Sequence, residues 1–438
     1  MNLQLRTKNM ISAAMAVGFA IAQPPPQQPP PPQQGQPVDP GARVGAAAAG
    51  GALPGVTTGE MTMFRAGKDA FSEMEQVSNG LGPRFNLDSC GGCHAQPSTG
   101  GSSPSVNPQI AAATRAGALN KVPSFLSQNG PVRVVRFRQT PTHQADGGVH
   151  ALFVVTGRND VPAACKIAQE DFSNTANLTF RIPTPVYGGG LLESIPDSTI
   201  LANLAANSAV KQQMGIGGKV NRNGNDGTIT RFGWKAQNKS LMLFSGEAYN
   251  VEMGVTNEIF QNERDEDAAC AANGSPEDHT NYDKLDPSDV VKFTAFMRFL
   301  APPATGPVTA SVTNGKNVFG QLGCALCHTP SLNTGKSSSA SLSNQPVPLY
   351  SDLALHTMGA NLNDQVSQGN AAGSDFRTAP LWGLGQRIFF LHDGRSSNLV
   401  DAILQHAGQG SEASIVIQRY NALPLSQKQD LIHFLRSL

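Results

Sequence analysis

The sequence contains the pattern Cys-x-x-Cys-His twice, as Cys90-Gly-Gly-Cys93-His94 and as Cys324-Ala-Leu-Cys327-His328. In this pattern the two thiols form thioether bonds to the vinyl groups of a haem, and the adjacent imidazole ligates the iron. With six Cys and nine His in the chain, random placement would give roughly 0.002 such matches. The two motifs therefore predict two covalently bound haem c groups.

Six side chains are predicted to hold these haems, and the His of each motif is the predicted proximal iron ligand. They are Cys90, Cys93 and His94 for the first haem, and Cys324, Cys327 and His328 for the second. A redox-active Cys-x-x-Cys pair would leave the two His residues unexplained. A zinc site would need further paired ligands, and the sequence has no third Cys-x-x-Cys.

Residues 1–22 have the pattern of a secretory signal peptide cleaved near Ala22, because basic residues precede an apolar run from Met10 to Ala22. We expect a periplasmic or otherwise exported protein. No later stretch approaches the ~20 apolar residues of a membrane helix, so no transmembrane segment is expected in the mature chain. Residues 23–54 are rich in Pro and Gln, which predicts a disordered linker.

Two further features follow from composition. Cys165 and Cys270 remain after the haem motifs, and in an oxidising compartment the expected state of such a pair is a disulfide. The chain has 32 basic and 32 acidic residues, hence a formal net charge of zero. Nucleic-acid binding needs a basic surface, so no nucleic-acid partner is predicted.

An internal repeat relates residues 285–300 to residues 423–438 at a constant offset. Both segments have the apolar spacing of an amphipathic helix, and each has a Ser suited to the N-cap position. The identical pairs are Leu285/Leu423, Ser288/Ser426, Phe296/Phe434, Arg298/Arg436 and Leu300/Leu438.

The repeat predicts a mainly α fold with two cytochrome c-like haem domains. The first would span residues 55–303 and the second residues 304–438, with the boundary at the helix-stopping Pro302 and Pro303. Residues 232–241 resemble residues 390–399 at an offset of 158, whereas the haem motifs are 234 residues apart, so the first domain is predicted to contain an insertion of about 76 residues. Apolar runs at 132–137 and 150–155 predict β-strands within it.

Two segments of the second half, Phe376-Arg-Thr-Ala-Pro-Leu-Trp-Gly383 and Phe390-Leu-His-Asp-Gly-Arg395, carry a family resemblance. Together with the haem motifs, with Trp234 and with Asn250-Val-Glu-Met-Gly254, they resemble the bacterial di-haem cytochrome c peroxidase and MauG superfamily. The resemblance implies peroxide chemistry at the N-terminal haem and electron entry at the C-terminal haem. It implies a small redox protein as the electron donor.

The resemblance also implies roles for individual residues. Trp234 is the candidate bridge between the haems, and Glu252 is the candidate acid/base beside the peroxidatic iron, where cleavage of peroxide requires a moving proton. A calcium ion between the domains is implied, without identified ligands. Trp234-Lys235-Ala236 departs from the Trp-Asp-Gly-Arg pattern of typical peroxidases.

The second axial ligand of the C-terminal haem has three candidates. His406 occupies the place where the related peroxidases have a Met and MauG has a Tyr. Met358, 30 residues after the second motif, is the choice for a generic cytochrome c, and His356 is the third candidate. His392 is either a turn residue that bonds to the backbone, or a contact to a haem propionate or between the haems. For Arg377 and Arg395, pairing with haem propionates and ordinary salt bridges both remain open.

Three functions are compatible with these residues. The leading hypothesis is a di-haem oxidoreductase that reduces hydrogen peroxide, or uses it or another small oxidant to oxidise a substrate. The alternative is a non-enzymatic electron-transfer cytochrome with both irons six-coordinate. The third is a MauG-like enzyme that modifies a partner protein by long-range oxidation.

Overall fold

The structure, a computed structural model, describes residues 35–262, 267–274 and 276–438. The predicted signal peptide and the first part of the predicted linker lie outside the described residues.

Most of the regular structure is helical, as predicted, and the strands are short. The α-helices are α1 (Thr58–Ser72), α2 (Cys90–Cys93), α3 (Pro108–Ala112), α4 (Gly189–Glu193), α5 (Asp197–Ala205), α6 (Ser208–Gln213), α7 (Leu241–Met253), α8 (Asp289–Phe299), α9 (Ala310–Leu322), α10 (Gly359–Leu362), α11 (Leu399–Leu404), α12 (Ser414–Asn421) and α13 (Leu425–Ser437). The strands are β1 (Arg84–Phe85), β2 (Val134–Phe137), β3 (Val149–His150), β4 (Phe153–Val154), β5 (Leu178–Arg181), β6 (Asn221–Arg222), β7 (Ile229–Thr230), β8 (Leu332–Asn333), β9 (Pro346–Val347), β10 (Leu355–Thr357) and β11 (Asp375–Arg377).

The repeated segments form the second helix of two similar helix pairs. Helix α1 packs on α8, and α9 packs on α13. Each pair meets at a glycine, because a Cβ on Gly67 would collide with the carbonyl of Lys292, and a Cβ on Gly315 with the carbonyl of Asp430. The neighbours at these contacts include Phe296 and its repeat equivalent Phe434, so the repeat reflects one helix-crossing geometry used twice.

The predicted Ser caps are not observed. Ser288 occupies the N-cap position of α8 but makes no capping hydrogen bond. Instead the carboxylate of Asp278 accepts hydrogen bonds from the amides of Asp289 and Val290, at 2.8 and 3.1 Å. Ser426 lies inside α13, whose N-cap is Pro424. A carboxylate from a distant segment has replaced the local cap.

The insertion contains the predicted strands as a three-stranded antiparallel sheet with strand order β3-β2-β5. The predicted run 150–155 divides between β3 and β4, and β4 pairs with β1 just before the first haem motif. The expected disulfide between Cys165 and Cys270 is confirmed, with a Cα–Cα distance of 4.5 Å. It ties the insertion to the segment that follows α7.

Residues 37–54, the later part of the predicted linker, make specific contacts with the rest of the chain. The carboxylate of Asp39 accepts two hydrogen bonds from Arg436, both at 2.7 Å. The amide of Arg43 donates to Gly385, and Leu53 is buried against the helices. A buried ion pair and an apolar anchor thus hold a segment whose Pro-rich composition predicts disorder.

Residues 37–438 form one compact unit, and the predicted boundary at residue 303 stays a prediction. One large hydrophobic cluster contains the α1–α8 pair, and a second contains the α9–α13 pair. Among the described residues, no helix is both long and apolar enough to cross a membrane.

Candidate active site

The first Cys-x-x-Cys-His motif forms the single turn of α2, and His94 follows it directly. The Nδ1 atom of His94 is 3.0 Å from the carbonyl oxygen of Gly101. A donated Nδ1–H fixes the tautomer in which Nε2 carries the free lone pair, as iron ligation requires. Burial lowers the pKa of His94 to about 4, so the imidazole is neutral near pH 7. The motif is therefore prepared to bind a metal through Nε2.

The second motif repeats this arrangement. Residues Cys324–Leu326 form a 3-10 turn, and Nδ1 of His328 is 2.9 Å from the carbonyl oxygen of Tyr350. Burial lowers the pKa of His328 to about 4 as well. Both proximal imidazoles are thus neutral, oriented by a backbone carbonyl and adjacent to a pair of thiols.

A cavity lies against each motif. The cavity of the first motif, called here the N-terminal cavity, is lined by Cys90, Cys93 and His94 together with Arg136, Arg181, Trp234 and Glu252. The cavity of the second motif, the C-terminal cavity, is lined by Cys324, Cys327 and His328 together with Trp234, Met358, Arg377, Arg387, His392 and His406. Most of the remaining lining side chains are apolar, which suits a porphyrin.

The structure places Glu252 in the wall of the N-terminal cavity, where the sequence predicted a proton carrier. Its Oε2 accepts a hydrogen bond of 3.2 Å from Nδ2 of Asn86, and its carbonyl accepts one of 2.7 Å from the Asn86 amide. Asn86 is buried. A carboxylate in the last turn of α7 is unfavourable for the helix dipole, so helix stability does not explain a Glu at this position.

All three candidates for the second axial ligand, His406, Met358 and His356, line the C-terminal cavity. Nδ1 of His406 is 2.7 Å from the carbonyl oxygen of Ala402 in α11, which leaves Nε2 available for a metal. Burial lowers the pKa of His406, so the ring is neutral. His406 is thus neutral and oriented by a backbone carbonyl, as the two proximal imidazoles are. This favours His406 over Met358 as the second axial ligand.

His356 is contradicted as an axial ligand because both ring nitrogens are already bonded. Nε2 is 2.9 Å from Asp352 and Nδ1 is 2.7 Å from Glu412. Burial acts to lower the pKa of His356, but its hydrogen bonds to Asp352, to the sulfur of Cys327 and to Glu412 raise it well above its usual value. A protonated imidazole has no lone pair for iron.

We expect His406→Ala to convert the C-terminal haem from low-spin to high-spin, because the iron would lose its sixth ligand. His406→Met should keep it low-spin and raise its potential, since Met ligation raises haem potentials. Electron paramagnetic resonance of the oxidised protein measures the spin state. Met358→Ala is the control; if it produces the high-spin signal while His406→Ala does not, the ligand is Met358.

Trp234 lines both cavities. Its indole N–H donates a 2.9 Å hydrogen bond to the carbonyl of Ile182. On one side the ring makes an edge contact with His392, with centroids 6.5 Å apart, and His392 stacks on Phe376 at 4.3 Å. Trp234 is thus part of the wall of both cavities, and His392 contacts it from the C-terminal cavity, whose wall His392 also lines.

Haem propionates need cationic partners. The guanidinium groups in the cavity walls therefore indicate whether the cavities suit haem. Arg377 and Arg387 form no ion pair with a carboxylate in the described part of the chain, and burial lowers the pKa of each to about 10. Arg136 lines the N-terminal cavity and is half-buried; its Nη1 donates to the carbonyl of Gly147, while its Nε has no hydrogen-bond partner among the described residues. Unpaired buried cations are costly, and propionates would pair with them.

Arg395 does not belong to this set. It pairs with Asp393 at 2.8 Å, and about a third of its side chain is exposed. Arg136 and Arg387 were not predicted from the sequence. The available signal for Arg136 was a charged residue inside the apolar strand Val134–Phe137.

The two cavities differ in their imidazoles. The C-terminal cavity has His328 and His406 prepared as ligands, whereas His94 is the one imidazole among the described residues that line the N-terminal cavity. The sulfur atoms there include Met253, whose Sδ lies 3.7 Å from Sγ of Cys90. The arrangement offers two His ligands to one haem and a single His to the other.

The calcium ion implied by the resemblance remains a prediction. The described residues contain one group of carboxylates close enough to share an ion, formed by Glu73, Glu75 and Asp289. Burial raises the pKa of Glu75 to about 7, while the hydroxyl of Tyr249 donates to it at 2.9 Å. A half-protonated, hydrogen-bonded carboxylate is a poor calcium ligand, so this group is not assigned to the ion.

Residues 128–438 match the family described as "Di-haem oxidoreductase, putative peroxidase". This is more than half of the chain, and the chain belongs to that family. Two haems are implied by membership, and the function at this level is that of a peroxidase-like oxidoreductase. No curated protein sequence matches the chain.

Several solved structures have a detectable likeness to this chain. Hydrazine synthase of Kuenenia stuttgartiensis is 14% identical, with 94% of this chain and 99% of that chain covered and a TM-score of 0.37. The diheme peroxidase BthA of Burkholderia thailandensis is 15% identical, with 92% of each chain covered and a TM-score of 0.33. A MauG-like protein associated with microbial copper homeostasis is 16% identical, with 64% and 95% covered and a TM-score of 0.29. All scores are below 0.5, so the assignment depends on the family match.

Proposed function

We propose that this protein reduces hydrogen peroxide at an N-terminal haem c held by Cys90, Cys93 and His94, using electrons that enter at the C-terminal haem. The observation that supports this division is the difference in imidazoles between the cavities. A haem with two His ligands has no position for peroxide and suits electron transfer. A haem with a single prepared His ligand has a position on which peroxide can bind.

The reaction consumes two electrons and two protons for each peroxide and releases two waters. Haem supplies the one-electron redox chemistry and the binding position for peroxide. The chain supplies the proton carrier, for which Glu252 lies in the cavity wall and is held by Asn86. Its carboxylate would take a proton from the near oxygen of peroxide and deliver it to the departing oxygen.

Trp234 would separate the two haem pockets while providing a contact path between them. Its hydrogen bond to Ile182 fixes the indole plane. Arg136 in one cavity, and Arg377 with Arg387 in the other, would bind propionates. Covalent attachment through the four motif thiols, export by residues 1–22 and a small redox protein as donor complete the proposal.

The test is a spectrum and a stopped-flow trace of the purified di-haem protein. We expect one high-spin and one low-spin haem by electron paramagnetic resonance, and rapid reoxidation of the reduced protein by hydrogen peroxide. Two low-spin haems that do not react with peroxide would contradict the proposal and favour an electron-transfer cytochrome. Peroxide consumption without turnover by small reductants would instead favour oxidation of a protein substrate.

A further inference from the structure

Lys235, next to Trp234, is completely buried, with an exposed fraction of 0%. Its ammonium lies 3.0 Å from Oδ1 of Asp364 and donates to the carbonyls of Ala372 and Gly373 at 2.9 and 2.8 Å. It also lies 3.8 Å from the centre of the Phe376 ring. A buried Lys is costly unless it is paired and hydrogen-bonded, and every contact here serves that purpose.

The partner carboxylate is shared between two cations. Oδ2 of Asp364 is 2.8 Å from Arg181, which lines the N-terminal cavity. Arg181 and Lys235 therefore balance only one negative charge. Asp375 also acts on Lys235, but it is itself paired with Lys219 at 2.7 Å. The buried group made by Arg181, Asp364 and Lys235 keeps a net charge of about +1, as a sum of formal charges.

This charge lies beside a row of aromatic contacts in the wall of the C-terminal cavity. Lys235 is over Phe376, Phe376 stacks on His392, and His392 contacts the edge of Trp234. Burial lowers the pKa of His392 to about 4, so that ring is uncharged near pH 7. Burial lowers the pKa of Lys235 to about 8, with Asp364 opposing the shift, so the ammonium is still mostly charged at pH 7.

We propose that Lys235 is a positioning residue that stabilises electrons on the C-terminal haem and disfavours one-electron oxidation of Trp234. This deepens the proposed function. An indole that gives one electron to the peroxide-oxidised N-terminal haem becomes a cation, and a second positive charge in a low-dielectric interior opposes it. The same charge favours the reduced state of the haem beside Phe376 and His392. The sign is opposite to that of the Asp in the Trp-Asp-Gly-Arg pattern.

The consequence of this charge concerns what peroxide oxidises. Oxidising equivalents from peroxide would remain at the haem until electrons arrive, rather than leave through Trp234 to oxidise a protein partner. The proposal therefore favours a small-molecule peroxidase over the MauG-like alternative for this chain.

The first experiment is a potentiometric titration of the full di-haem protein, which needs no peroxide. In Lys235→Gln the amide still donates to the two carbonyls but has no charge. We expect the reduction equilibrium constant of the C-terminal haem to fall about tenfold, which is about 59 mV for one electron. Lys235→Arg should resemble wild type, and Lys239→Gln, which removes a neighbouring charge from a surface pair with the exposed Asp226, is the control.

The second experiment adds peroxide and measures protein radicals by electron paramagnetic resonance. Lys235→Gln should give several-fold more radical than wild type, and the additional Trp234→Phe change should remove it. Potentials and radical yields equal to those of Lys239→Gln would overturn the inference. If Lys235→Gln does not fold, Lys235→Met is measured with the same expectations. If wild type ignores peroxide, the proposed function fails, and the potentials alone decide the role of Lys235.

Discussion

Cys90→Ala/Cys93→Ala is expected to leave one covalent haem per chain and to abolish the reaction with hydrogen peroxide. The N-terminal cavity would lose both thioether bonds and retain only His94 as a holding ligand. The remaining haem would keep His328 and His406, and a six-coordinate iron has no position for peroxide. The whole peroxide reaction should therefore disappear with the first motif.

Cys324→Ala/Cys327→Ala is the matched control, because it removes the same chemistry from the other motif. We expect it to retain one covalent haem, to react with a first equivalent of peroxide when reduced, and to lose steady-state turnover with a protein donor. Intact mass spectrometry of the denatured protein counts the covalent haems. Undiminished peroxide reaction in the first double variant, or haem that is lost from wild type on denaturation, would contradict the assignment.

Local sequence patterns were enough to predict much of this arrangement. The haem motifs form short turns with their His rings oriented by backbone carbonyls, as at His94 and Gly101. The repeat at Phe296 and Phe434 corresponds to two helix pairs that cross at a glycine. Predictions of such features succeed because each feature depends on residues close in the chain or on one periodic pattern.

What the sequence did not reveal depends on distant partners. The cap of α8 comes from Asp278 rather than from Ser288, and the segment around Asp39 is ordered by Arg436, almost at the other end of the chain. In the sequence His356 resembles an axial iron ligand, and only the fold shows that two carboxylates bond to its ring. Composition and spacing do not specify which side chains meet across a fold.

In the candidate site, too, some features were predicted from the sequence and others depend on distant partners. Trp234 and Glu252 were predicted from a family resemblance, and each lines the cavity that the resemblance implied. Arg387 and the pairing of Lys235 with Asp364 were not predicted, because a charged residue in a sequence is expected to be exposed to solvent. The missing information is the electrostatics of the interior, on which haem potentials depend.

Glu252→Gln is expected to slow the reaction of the reduced protein with hydrogen peroxide by about 10²–10⁴, the usual contribution of a general acid–base group. Gln has nearly the same shape and retains a hydrogen bond with Asn86, so folding and haem content should not change. It cannot carry a proton between the two oxygens of peroxide. Stopped-flow absorbance of the reduced variant beside wild type measures the rate.

Glu247→Gln provides the matched control. Glu247 is in the same helix, α7, where its carboxylate accepts a hydrogen bond from Asn238, and it does not line the N-terminal cavity. A proton carrier predicts a large loss in Glu252→Gln and a near-wild-type rate in Glu247→Gln. Equal rates in all three proteins would show that Glu252 is structural and that another group moves the proton. Only Glu252 lines the cavity, so a similar loss of rate in both variants would mean that the charge of α7, and not proton transfer by Glu252, determines the rate.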